Sequence, residues 1–391
     1  MNILFIELHN NNPFSVTCGS IQRSNLLIQA CAQIAHVDVV VFNNDDVDLN
    51  IKNCDVIYCN DCNKDKRSKL LEFWRKIYCL FGSGELYFEM KNKEIEQALD
   101  NIILKGKYDR IVIRYIPDAV RCGLVKYSDR LVVDVDDSPV SIRRNRVKHS
   151  KTAIHKWYNR IIYHHSTKNL ALLLGKLKHS FFSNKDEIIG YKSSYLPNVP
   201  FYDERHADFC DFENSNNNNN NILFVGYLTF GANINGLNRF FDCIYPLIIK
   251  KIPNVVVTIV GKCNLSQLGE WKHYRNVVIK GFVEDLSVEY ANARVVVAPI
   301  YEGAGTNIKI LEAMQMLRPC VTTFEGSRGF TDVFTSNVDY LVSMTDQEFA
   351  DNVVSLLQNK EKNHMIAQNA DLKLKANFSK QAFFEKLKRN I

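Results

Sequence analysis

Val295-Val296-Val297-Ala298-Pro299-Ile300-Tyr301-Glu302-Gly303-Ala304-Gly305-Thr306-Asn307-Ile308-Lys309-Ile310-Leu311-Glu312-Ala313-Met314 is the stretch on which the fold turns. The valine run reads as a buried strand that ends at Pro299. Gly303 and Gly305 permit tight turning and close approach of a ligand to the backbone. Thr306 or Asn307 can cap the helix Ile308–Met316 that follows. The free amides at such a helix tip, together with its dipole, make a site for an anion. Lys309 and Glu312 are three apart and share a helix face. The lysine can neutralise a diphosphate, and the carboxylate can accept hydrogen bonds from both hydroxyls of a ribose. Read by itself, the stretch also fits a plain glycine loop and a surface Lys309–Glu312 pair, because short motifs recur by chance.

The same strand–helix alternation extends in both directions. Upstream of it, Ile222–Val225, Val255–Val260 and Val277–Ile279 read as strands, and downstream Cys320–Thr323 does. Leu237–Ile249 repeats apolar residues at helical spacing, and 347–391 is helical by periodicity. The first half has its own series: strands at Ile3–Ile6, Val37–Phe42, Asp55–Tyr58, Arg110–Tyr115 and Leu131–Val135, with helices at Ile21–Ile34 and Ile95–Leu104 between them. Alternation of this kind predicts parallel sheets covered on both faces. The two series are parted by an asparagine run, Asn216 to Asn221, that cannot bury apolar surface. The expected organisation is a first Rossmann-like domain over 1–200 and a linker over 201–221. A second such domain follows over 222–372, then a C-terminal helix over 373–391 packing back on the first domain. Ligands of such sheets bind beyond the carboxyl ends of the strands, so the two domains are expected to face a cleft there.

The chain of 391 residues is 46% apolar, which supports full cores, and carries a formal charge of +6. From Ser138 to Lys185 there is no acidic residue and there are eleven basic ones, among them Arg143, Arg144, Arg146, Lys148, Lys156, Arg160 and Lys168. Such a block favours an anionic partner. With Trp157, Tyr158 and Tyr163, the segment 143–168 reads as a surface for anionic lipid, the bland alternative being a solvated basic face. Nucleic acid is not expected, since no recognition motif accompanies the charge. Eleven scattered cysteines, no basic and apolar leader, and no apolar run of spanning length predict free thiols and a cytoplasmic protein, peripheral at the inner membrane face. Cys54, Cys59, Cys62 and Cys79 match an iron–sulfur spacing, but Cys54–Cys59 spans an apparent strand that cannot also wrap a cluster.

Several short motifs in order shift the reading of the opening stretch. Leu223-Phe224-Val225-Gly226 is followed by Asn233-Ile234-Asn235-Gly236-Leu237, Ile259-Val260-Gly261 and Gly281-Phe282-Val283-Glu284-Asp285. Arg318-Pro319-Cys320 and Gly326-Ser327-Arg328-Gly329-Phe330 close the set. From Ile222 to about Phe330 the chain resembles the retaining glycosyltransferases of family four, in particular the bacterial subgroup with a Gly-Ala-Gly-Thr-Arg-x-Lys-x-Leu-Glu-Ala-Met pattern. The first half matches more weakly, through Gly19-Ser20 with Arg23, Asp134-Val135-Asp136-Asp137 and Leu196-Pro197-Asn198-Val199.

The resemblance implies a GT-B fold whose second domain holds a nucleotide-sugar. It places Glu312 at the ribose, the Gly303–Lys309 loop (Gly303, Gly305, Thr306, Asn307, Lys309) at the diphosphate, and backbone near Gly226, Gly261, Phe282 and Val283 around the donor. Relatives often carry a first glutamate where this chain has Ala304, an arginine where it has Asn307, and a glycine where it has Leu317. Relatives also carry an early basic residue that has no counterpart in 226–236, which leaves Lys309 as the main cation for the leaving diphosphate. In the first domain Gly19, Ser20 and Arg23 either touch donor phosphate or acceptor, or form an ordinary turn with Arg23 exposed. Arg114 ends a strand and points toward the cleft as a second catalytic residue. Asp136 belongs to the acceptor side, with Asp134-x-Asp136 read as ordinary strand-end carboxylates rather than a metal site; neither metal nor cofactor is expected. The expected activity is sugar transfer from a nucleotide-sugar to a saccharide or lipid-linked acceptor in cell-surface polysaccharide synthesis. The alternatives are a nucleotide-sugar epimerase of the same fold and a degenerate, non-catalytic GT-B protein.

Overall fold

The computed structural model describes residues 1–8, 12–14, 19–42, 47, 50–60, 69–136, 138–150, 152–200, 220–264, 266, 268–302 and 306–391. It divides into two units, Met1–Asn198 with Lys380–Ile391, and Val199–Ser379.

The first unit runs β1 (Asn2–Glu7), α1 (Gly19–Ala32), β2 (His36–Phe42), β3 (Cys54–Cys59), α2 (Lys69–Tyr78), α3 (Lys93–Gly106), β4 (Arg110–Arg114), α4 (Ile116–Arg121), β5 (Leu131–Asp136), α5 (Pro139–Lys148), α6 (Ala153–Leu174), β6 (His179–Phe182) and β7 (Ser193–Tyr195). Its seven strands are parallel and ordered β3-β2-β1-β4-β5-β6-β7. The order reverses between β1 and β4, which makes that pair the switch point. In β1, Leu4 and Ile6 enter one buried cluster while Ile3 and Phe5 are buried on the opposite face. That two-sided burial is why the strands read as continuous apolar runs rather than alternating ones. Side-chain caps begin the helices: Asn92 accepts from the amides of Glu94 and Ile95 at α3, Ser138 from that of Val140 at α5, and Thr152 from that of His155 at α6.

The second unit runs β8 (Asn221–Val225), α7 (Gly231–Arg239), α8 (Tyr245–Lys251), β9 (Val256–Val260), β10 (Val277–Gly281), α9 (Leu286–Ala291), β11 (Val295–Ala298), α10 (Ile308–Gln315), β12 (Cys320–Thr323), β13 (Leu341–Ser343), α11 (Asp346–Gln358) and α12 (Lys360–Asn377). Its six parallel strands are ordered β10-β9-β8-β11-β12-β13. Here the switch point lies between β8 and β11. In β8, Ile222 and Phe224 join the core with α7, α8 and α11, whereas Leu223 and Val225 join the core with α10 and α12. The last helix, α13 (Lys380–Lys388), belongs to the first unit, where it packs against α1 and buries Phe383 and Leu387.

Three strands lie outside the predicted set, β6, β7 and β13, each of only three or four residues. Pairs of that length have too few positions to show a period; they form because a neighbour already offers its edge. The single helix predicted over Leu237–Ile249 is three segments. A π-turn, Phe240–Ile244, separates α7 from α8, with the Tyr245 amide donating to the Phe240 carbonyl. Pro246 has no N–H to continue the α ladder and sits in the first turn of α8, where none is needed.

Candidate functional site

The carboxyl ends of β8 and β11 flank the switch point of the second sheet, and the sequence-predicted donor residues gather there. Gly226 follows β8, and its amide donates to the Val260 carbonyl at 2.9 Å. A Cβ at Gly226 would lie 2.9 Å from Lys309 Nζ and 3.0 Å from Asn233 Nδ2. Gly261 follows β9 with φ +141°, and a Cβ there would lie 2.0 Å from the Gly226 carbonyl oxygen. Gly261 therefore requires glycine, because backbone occupies the space, whereas a side chain at Gly226 would displace the Lys309 and Asn233 heads. Lys309, on the first turn of α10, donates to Asn233 Oδ1 at 2.8 Å and sits 4.5 Å from the centre of the Phe224 ring. Asn233 in turn donates to the Tyr227 carbonyl at 2.8 Å. Asn233 thus orients the ammonium from α7.

One turn along α10, Glu312 is buried, and Tyr290 Oη donates to its Oε2 at 3.2 Å. Burial pulls the Lys309 ammonium down to about 8, partly offset by Glu312. Burial likewise pushes the Glu312 carboxyl up to about 7, against the Tyr290 hydrogen bond and Lys309. Both groups are held where a ligand of opposite or hydrogen-bonding character stabilises their charged forms. Asn307 holds the N-cap position of α10 but makes no capping bond; its Nδ2 donates 3.0 Å to the Gly326 carbonyl instead. The expected asparagine cap is therefore absent because the side chain ties α10 to the turn after β12. Thr306 is half-buried beside it. Phe282 is exposed and Val283 packs against the α10 core, both just after Gly281, whose φ is +68°. Gly303 and Gly305 lie outside the described residues.

The first-domain residues come together in a different role. Arg23, predicted either at a phosphate or exposed, is buried on α1. Its Nε donates to Asp134 Oδ2 at 2.8 Å and one Nη2 hydrogen to Asp134 Oδ1 at 2.6 Å. The others reach the carbonyls of Pro197 and Leu196 and Asn198 Oδ1. A guanidinium has five donors, and all five are committed. Arg114 is buried as well, against Asp134 Oδ2 at 3.2 Å, Asp136 Oδ2 at 2.5 Å, the Ser20 carbonyl at 2.6 Å, Ser24 Oγ at 3.1 Å and Tyr115 Oη at 2.9 Å. The reading of Arg23 as exposed is corrected by its burial, and it and Arg114 hold the switch point of the first sheet together through Asp134. Asp136, with φ +48°, is held below the ordinary carboxylate range because Arg23 and Arg114 outweigh its burial. Gly19 and Ser20 form the first turn of α1, where the Ser20 carbonyl is one of the acceptors of Arg114.

Asn233 and Tyr290 are site residues that the sequence reading passed over. Asn233 stood inside a quoted motif, but nothing local tied it to Lys309, 76 positions away. Tyr290 shows only as one apolar position of α9.

Comparison with known proteins agrees with this fold. Residues 219–359 match the family described as Glycosyl transferases group 1. A curated relative from Klebsiella pneumoniae, an uncharacterized 44.6 kDa protein in the cps region, is 26% identical over 308 residues, covering 75% of this chain and 76% of that one. Sucrose-phosphate synthase from Thermosynechococcus elongatus superimposes with a TM-score of 0.69 at 15% identity, covering 99% of this chain and 97% of that one. WaaG, a glycosyltransferase involved in lipopolysaccharide biosynthesis, gives 0.65 at 14%, covering 99% of each. HepE of Anabaena, in complex with UDP and glucose, gives 0.63 at 13%, covering 100% of this chain and 98% of that one. The fold so defined is the one shared with the two-domain GT-B glycosyltransferase structures. Over residues 219–359 the second domain is similar to group 1 of that class.

Proposed function

We propose that this protein transfers a sugar from a nucleoside-diphosphate sugar to a saccharide or lipid-linked acceptor in cell-surface polysaccharide synthesis. The observation that carries the reading is the cluster at the β8/β11 switch point. There an ammonium steered by Asn233 sits under Gly226, and the Glu312 carboxyl lies one helical turn further on. A diphosphate at the tip of α10 would meet Lys309, and a ribose would meet Glu312. Sugar transfer leaves negative charge on the departing diphosphate while the anomeric carbon becomes cation-like, and preorganised positive groups there lower the barrier. Lys309 and the amides at the start of α10 are the groups proposed for that task. Retention of configuration and independence of metal or cofactor are part of the proposal through family likeness. An epimerase would need acid and base groups around the sugar, and the residues named here supply none in that arrangement.

The acid-free block over 143–168 supports a working place at the cytoplasmic face of an anionic membrane. Arg144, Arg146, Lys148, Lys156, Arg160 and Lys168 are all exposed on α5 and α6. Among the described residues no helix is long and apolar enough to cross a membrane.

The test is a thermal-unfolding screen against UDP, GDP and ADP and their sugars, followed by assay of donor hydrolysis and transfer. One nucleotide is expected to raise the unfolding temperature by mass action, and Lys309→Ala is expected to cut turnover by roughly tens-fold with the fold intact. No stabilisation by any nucleotide, or an unchanged rate in the variant, would refute the reading.

A further inference from the structure

Helix α2 is amphipathic the wrong way round for a soluble domain. Leu70, Phe73, Trp74 and Ile77 fall at i, i+3, i+4 and i+7, one face of a helix, and every one of them is exposed. Trp74 is 58% exposed, and Phe81, just past the helix, 86%. The polar residues Glu72 and Arg75 are the ones drawn inward. Arg75 donates to the Phe88 carbonyl at 3.1 Å and lies 3.8 Å from Glu89. The chain therefore spends ion-pair and hydrogen-bond contacts to hold the apolar stripe outward. Scattered exposed apolar residues need no explanation, but a continuous stripe of this size marks an interaction site.

The neighbours of α2 identify the occupant. Tyr158 of α6 donates to the Lys76 carbonyl at 3.2 Å. Tyr87, a few residues beyond α2, donates to the Ile162 carbonyl of α6, and the Arg143 guanidinium lies 4.6 Å from the centre of its ring. The apolar stripe is thus fastened to the two helices that carry the acid-free basic block. On α6, Ile154 and Trp157 are also exposed, at 77% and 61%, on the same turns as the exposed Lys156 and Arg160. Apolar and aromatic side chains flanked by lysine and arginine are the composition of a helix lying in the boundary between headgroups and acyl chains. A second copy of this chain would fit less well, because docking α2 on α2 about a twofold axis brings two basic blocks toward each other.

We infer that α2 inserts its Leu70–Phe73–Trp74–Ile77 face, with Phe81, into the interfacial layer of an anionic bilayer, while α5 and α6 contact the headgroups. The inference rests on the reading of 143–168 as the lipid-facing block and is independent of the sugar-transfer chemistry.

The experiment uses the full chain and vesicles of phosphatidylcholine with or without phosphatidylglycerol, with flotation as the readout. A Trp157→Phe background leaves Trp74 as the exposed tryptophan beside the buried Trp271. Binding to the anionic vesicles is expected, with quenching of Trp74 by lipids brominated near the headgroup end of the chain. Phe73→Asp with Trp74→Asp is expected to lower partitioning by about tenfold or more while nucleotide stabilisation and unfolding temperature stay unchanged. Charge reversal at Arg144, Arg146 and Lys148 is expected to weaken binding at low salt and to leave the depth of Trp74 in bound protein unaltered. The inference is overturned if the double aspartate variant binds like the parent, if Trp74 is unquenched in bound protein, or if sedimentation shows the face closing a dimer that the variant abolishes. Loss of nucleotide binding in the unaltered chain would speak against the proposed activity only.

Discussion

Raising the pH from 7.5 to 9.5 tests the central lysine directly. In the free protein burial lowers Lys309 from 10.5 to about 8. That displacement corresponds to an upper bound of roughly 3 kcal/mol opposing the charged ammonium. A bound diphosphate supplies the counter-charge and returns the group toward its ordinary value. Below about 8 the lysine is protonated with or without ligand, so binding moves no proton at this residue. Above 8 the free protein has lost the proton and the complex keeps it, so affinity falls as pH rises. If the complex restores the ordinary value, the fall between pH 7.5 and 9.5 is about 20-fold, with uptake of close to one proton at the upper end. Isothermal titration with the stabilising nucleotide, run in buffers of different ionisation enthalpy, reads both quantities. Lys309→Met keeps the stem over Phe224 and removes the charge. It is expected to bind more weakly at pH 7.5 and to lose the alkaline fall. Base titration of the nucleotide affects both proteins, so the ratio of the two affinities isolates the lysine. A ratio independent of pH would refute the argument. On the acid side Glu312, raised to about 7, must ionise to accept two hydroxyls, so affinity is expected to fall below pH 7, and Glu312→Gln removes that limb. The same two shifts act on the ligand-free domain. A carboxyl whose folded value is raised loses stability as pH climbs from its ordinary value through 7. An amine whose folded value is lowered gains stability as pH climbs from 8 toward its ordinary value. Both therefore work against the fold between 7 and 8, the window in which nucleotide binding is proposed.

Two further tests concern the frame around the site. Leu317 has φ +52° at the end of α10, where the Arg318 amide donates to the Ala313 carbonyl and the Leu317 amide to that of Met314. This left-handed closure favours glycine, so Leu317→Gly is expected to exceed Leu317→Ala in stability by about 1 kcal/mol in urea unfolding, and equality of the two would remove the strain. Asp134 is fully buried between Arg23 and Arg114. Asp134→Ala leaves two buried guanidinium groups facing a void and is expected to cost about 3–5 kcal/mol, with a loss under about 1 kcal/mol contradicting the assigned role.

The order of elements was largely legible, because strands such as Leu131–Asp136 and Val295–Ala298 are β-branched runs buried on both faces, and that burial demands the composition one reads. The helix tip at Lys309 was legible for a similar reason: a strand, glycines and a lysine–glutamate pair lie within one continuous stretch. The internal partners of Arg23 and Arg114 were not legible. Nothing within a few residues of a strand-end arginine tells whether its partner is a ligand or an internal carboxylate, and Asp134 lies 111 positions from Arg23. The departure at Leu317 was visible as a missing glycine, yet its backbone angle was not.

What sequence alone determined here is what depends on neighbours along the chain: periodicity, helix ends, the lysine–glutamate face at the tip of α10 and the acid-free charge block. What only the tertiary structure decided is which way side chains face once distant segments meet. It turned Arg23 and Arg114 inward onto one aspartate, brought Asn233 and Tyr290 to Lys309 and Glu312, and left the apolar stripe of α2 outward. A helical period states that a face exists, but which side is buried depends on the surface that arrives from elsewhere in the chain, and a desolvated charge takes its value from groups that folding, not sequence order, puts beside it.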